Sequence, residues 1–119
     1  MSAPPCAYRA EAIAYCADPE PCMFHLGDSF ALRAGDVQRW AAERASQIAA
    51  SLGRHEPTTA TQFLTWAHDV AGTRTRRLLQ SGQAVFYTCT GADCLWELAL
   101  RPVPHDPTPQ AEKEATRKT

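Results

Sequence analysis

Residues 83–100 read QAVFYTCTGADCLWELAL, and no other stretch limits the fold so tightly. Two apolar runs flank a short segment of small and polar residues. Strand side chains point alternately to opposite faces, so this pattern is an antiparallel hairpin, and its register decides which side chains share a face. With Cys89 opposite Cys94 across residues 90–93, one face carries Val85, Tyr87, Cys89, Cys94, Trp96, Leu98 and Leu100. The other carries Ala84, Phe86, Thr88, Leu95, Glu97 and Ala99. The first face is the more apolar and must turn toward a core.

The N-terminal third repeats this plan. Residues 14–24, AYCADPEPCMF, place an aromatic residue before Cys16, a loop of five, then Cys22 followed by an aliphatic and an aromatic residue. A further short strand is expected at SFALR, residues 29–33, where Phe30 and Leu32 alternate. Between the hairpins the period changes. Val37, Trp40, Ala41, Ile48 and Leu52 recur at helical spacing, with Asp36 placed to cap the start and Gly53 to close the end. A second helix follows, with Thr59 and Gln62 at capping-box spacing and a stripe of Phe63, Trp66, Ala67, Val70 and Leu78. Gly72 weakens its middle and Gly82 ends it. The expected fold is α+β: a small antiparallel sheet of two hairpins packed against two consecutive α-helices. Trp40, Trp66 and Trp96 are expected to meet in its core.

At 119 residues the chain suits one domain, expected over residues 6–101. Residues 1–5 read as a flexible start. Residues 102–119, PVPHDPTPQAEKEATRKT, read as a disordered tail rich in proline and charge. A net charge of −1 gives no global attraction to nucleic acid or anionic lipid. The start of the chain lacks the basic and apolar regions of a secretory signal, so a cytoplasmic location and reduced thiols are expected.

Five cysteines, Cys6, Cys16, Cys22, Cys89 and Cys94, fit a complete disulfide framework poorly. Four of them, Cys16, Cys22, Cys89 and Cys94, suggest a structural zinc site with two soft ligands from each loop, and His25 is available in substitution. Buried reduced thiols and a disulfide across each loop are the competing readings. Arg74, Arg76 and Arg77 form the densest positive cluster. It is either a phosphate-binding patch or cations placed against a helix's negative end. His68 and Asp69 are adjacent in sequence and so diverge on a helix. No phosphate loop, nucleophile elbow or paired-carboxylate spacing occurs.

Three function classes follow. The first is a small intracellular protein-binding domain of adaptor or inhibitor type with structural cysteines, of the kind an accessory protein of a mobile element would have. The second is a nucleic-acid-associated regulator using the arginines. The third is a metal-dependent enzyme with an unrecognised site.

Overall fold

The computed structural model describes residues 7–104 apart from residue 18. The expected flexible start and residues 105–119 of the expected tail lie outside the described residues. Strands β1 (Ala7–Cys16) and β2 (Cys22–Ala31) form the first hairpin. Helices α1 (Ala34–Leu52), α2 (Pro57–Val70) and α3 (Thr73–Gln80) follow. Strands β3 (Val85–Thr90) and β4 (Cys94–Val103) form the second hairpin. The two hairpins join side by side into one antiparallel sheet of order β2-β1-β4-β3, with the helices on one face. This is the α+β arrangement expected.

Alanine at every second position of β1 explains how closely the helices approach. Ala10, Ala12 and Ala14 face the helices and are buried, and α1 answers with Ala41, Ala45 and Ala49, one turn apart. Larger side chains fill the space beyond this seam. Val37, Phe63, Val70, Leu79, Leu98 and Leu100 are almost fully buried. Burying such side chains contributes about 1.5–3 kcal/mol each. An aromatic group closes the β3–β4 half. Phe63 stands edge-on to Trp66 at 4.7 Å and to Trp96 at 5.6 Å, while Trp66 tilts over Tyr87 at 5.8 Å. Trp40 does not join it. It lies on the other side of α1 with the Arg44 guanidinium 5.8 Å from its ring.

Several details depart from the expectations. The second helix is two, because the chain breaks at Ala71 and Gly72 and restarts as α3. α2 begins at Pro57, where a fixed φ and a missing N–H suit the first helical position. Thr59 therefore lies inside the first turn and contacts Glu56 Oε1 at 3.4 Å instead of capping. Asp36 likewise falls in the first turn of α1, whose cap position is Arg33. Residues 29–31 belong to β2 and make no separate strand. β4 continues through Pro102, opposite Tyr8, to Val103, two residues past the expected boundary. Proline is tolerated there because β3 begins at Val85, opposite Leu100, so among the described residues no strand pairs with Pro102 on that flank.

The second hairpin pairs Cys89 with Trp96 and Thr90 with Leu95, not Cys89 with Cys94. The displacement is two residues, so every side chain keeps its expected face. The turn is set by docking: Glu56 Oε1 accepts the Ala92 N–H at 2.9 Å. A Cβ at Gly91 would lie 2.6 Å from that oxygen and 2.8 Å from Trp96 Nε1, so only glycine fits undisturbed.

Candidate functional site

Two features converge on one end of β2. The first is a row of cysteines. Cys16 ends β1, and its cross-strand partners are Cys22 on β2 and Cys94 on β4. Directly opposed residues of antiparallel strands share a face, so the three stand in line across three strands. Cys16 and Cys94 form a disulfide with a Cα–Cα distance of 4.2 Å, joining residues 78 apart in sequence. Cys22 is free and exposed.

Cys89 is also free but half-buried, opposite Trp96. Burial, and then the Glu56 carboxylate, push its thiol pKa up, which disfavours the reactive thiolate. His25 lies across from Ile13, on the sheet face opposite the cysteine row, with Nε2 3.7 Å from Glu11 Oε2. The structure thus gathers Cys16, Cys22 and Cys94 and leaves Cys89 and His25 elsewhere. Among the described residues no group of three or more His, Cys, Asp or Glu side chains is placed to hold a metal ion. While Cys16 and Cys94 are bonded to each other they offer no thiolate to a metal.

The disulfide corrects two expectations. It links the hairpins, whereas the expected alternative closed each loop separately, and the reduced state expected for all five thiols does not describe Cys16 and Cys94. Alternation put Cys94 on the correct face. The adjacency of β1 and β4, which brings Cys16 to it, has no local signature.

The second feature is the edge strand β2. Among the described residues no strand pairs with its outer side, and large apolar side chains are exposed on both of its faces. Met23 (59% exposed) and Phe30 (61%) point to the face away from the helices, and Phe24 (51%) to the helix side. Midway, Leu26 and Gly27 together oppose Ala12, a β-bulge. Gly27 adopts φ +119 there, and a Cβ would meet Trp40 and Arg44 at 3.2 Å.

The face of the sheet away from the helices carries charge at its centre. The Glu11 carboxylate is largely shielded and is approached by Arg101 at 3.0 Å and Arg9 at 3.6 Å, while Arg9 also reaches Asp28 at 3.1 Å. Ion pairs thus occupy the middle of the face, and much of its exposed apolar surface lies toward the rims.

Arg74 and Arg76 have different surroundings. Arg76 Nε donates to Gln38 Oε1 at 3.1 Å, and the buried Gln38 amide donates to the Val70 and Gly72 carbonyls at 2.9 Å each. Arg76 is thereby drawn to the start of α1, where a groove of about 420 Å³ is lined by Arg33, Arg39, Arg76 and Asp36. Arg74 instead lies near Tyr87. His68 and Asp69 are exposed and separate in role; Asp69 accepts a 2.6 Å hydrogen bond from the Tyr87 hydroxyl. No helix among the described residues is long and apolar enough to cross a membrane. Comparison with protein families, with characterised proteins and with solved structures yields no match.

Proposed function

We propose that the chain is a small protein-binding domain that works by strand addition at the β2 edge, and that the strand added is β2 of a second copy. The carrying observation is the exposure of Met23, Phe24 and Phe30 on both faces of one edge. A flat partner pressed on one face would cover at most two of the three. A strand laid alongside covers both and bonds the unpaired N–H and C=O groups of the edge.

A second copy fits in phase. With two β2 strands antiparallel about a two-fold axis between Leu26 and Gly27, Met23 opposes Phe30 of the second copy and His25 opposes its Asp28. Each pair shares the face that β1 pairing already assigns to its members. The bulges meet at the axis, two residues against two, whereas a straight strand would leave one residue of the bulge unpaired, as β1 does.

Sedimentation velocity over a concentration series tests this. The dimer is expected to weaken at least tenfold in Phe24→Lys and in Met23→Lys, both exposed positions where a lysine leaves the monomer folded. A wild-type chain that stays monomeric at millimolar concentration overturns the reading, as does a dimer indifferent to both substitutions.

A second reading, a nucleic-acid-associated regulator, is favoured by one observation, the convergence of Arg33, Arg39 and Arg76 at the start of α1. Its test is a salt-sensitive loss of DNA or RNA binding on replacing the three by alanine.

A further inference from the structure

We infer that Cys22, Cys16 and Cys94 form a thiol–disulfide exchange site, in which Cys16 shares one disulfide between its two neighbours. The alignment is the first ground. Exchange passes through a thiolate attacking one sulfur of a disulfide along the bond being broken. Cys22 and Cys94 oppose Cys16 from the two sides of β1, so the incoming and departing sulfurs flank the shared one in a line.

Spacing is the second ground. In a central antiparallel strand each residue directs its backbone N–H and C=O to one neighbour only, so a residue in a narrow pair on one side is in a wide pair on the other. The Cys16–Cys94 Cα distance of 4.2 Å marks the narrow pair. The Cys16–Cys22 pair is then the wide one, about 5.5 Å, within the roughly 4.4–6.8 Å that a disulfide spans. Neither pairing requires the strands to move apart.

Access is the third ground: Cys22 is exposed and borders a groove of about 450 Å³ that also includes Cys16. The step balances without any oxidant. Cys22 loses its proton to solvent and its thiolate attacks Cys16 Sγ. The Cys16–Cys22 bond forms as the Cys16–Cys94 bond breaks, and the electron pair leaves on Cys94, which takes a proton from solvent. One disulfide and one thiol are present before and after. The covalent tie moves from between the hairpins to within the first hairpin, releasing the start of β4.

The test follows Cys94 in the oxidised full-length chain with N-ethylmaleimide at mildly alkaline pH, by mass spectrometry after dilute-acid cleavage of the Asp18–Pro19 bond, which separates Cys16 from Cys22. The wild type is expected to acquire label on Cys94 together with a Cys16–Cys22 linked peptide. Cys94 labelling in Cys22→Ser, which keeps the Cys16–Cys94 bond and hence the fold, should be at least tenfold slower. The wild-type rate should not change with protein concentration. Equal labelling in the two proteins overturns the inference. So does a rate proportional to concentration, or a Cys94 thiol released with Cys16 linked to any residue other than Cys22.

Discussion

Tyr87 shows how one hydroxyl can carry a pH dependence. Burial first, and then its hydrogen bond to the Asp69 carboxylate, push its pKa up to about 12. A raised folded pKa means a contribution present in full below the unfolded value of about 10 and lost as pH climbs through about 12. Stability should therefore fall between those limits in the wild type. Tyr87→Phe, with no proton to lose, should show a flatter profile in that window, read by urea unfolding at stepped pH. Gly91 is constrained for a different reason, contact rather than titration. Gly91→Ala should lower stability by about 1–3 kcal/mol through overpacking against Trp96, and Glu56→Ala in the same chain should recover part of it, since the flexible carboxylate is one of the two obstacles. Neither role shows in the sequence. Gly91 reads there as ordinary turn chemistry, because Glu56 and Trp96 meet it only after the helices dock.

Among the elements, what was legible depended on the range of the signal. The faces of β3 and β4 follow from alternation alone, and a two-residue error in register leaves them intact. The stripe through Phe63, Trp66 and Val70 identifies α2, and Gly72 marks the weak point where the helix breaks. The order of the strands is another matter. Nothing local in RAEAIAYC requires β4 as a neighbour; its alanines record only that something packs closely. The Cys16–Cys94 link was hidden for that reason, and so was Gln38, which reads as a polar residue on a helix surface and is 1% exposed. Its amide ties α1 to the break between α2 and α3. Gln38→Leu keeps the bulk but leaves two carbonyls and the Arg76 contact without their partner, a loss of about 2–4 kcal/mol by the cost of unsatisfied buried groups. Urea midpoints of wild type and Q38L check this, with an unchanged slope showing that the fold is kept.

For the molecule as a whole, the disulfide dominates the tolerance to stress. A cross-link closing a loop of 78 residues stabilises by about 4.5 kcal/mol in the chain-entropy account. That is a large share of the roughly 5–15 kcal/mol that holds a domain folded. Reduction, or the double change Cys16→Ala and Cys94→Ala, should shift the urea midpoint by a corresponding amount. The same bond moved to Cys16–Cys22 would close a far shorter loop and stabilise less, so exchange would be felt as loosening of the β4 end of the sheet.

The strand order has one more outcome. β1 and β4 lie side by side at the centre of the sheet, running in opposite directions, with Ala7 opposite Val103. The points where the described chain enters and leaves are therefore neighbours, at the pole opposite the cysteine row. Ten residues of strand at about 3.3 Å each set the two poles some 30 Å apart. Such a body can be spliced into a surface loop of an unrelated host protein through a single narrow stalk, or rejoined end to end and reopened elsewhere as a circular permutant, with its reactive pole held out at full reach.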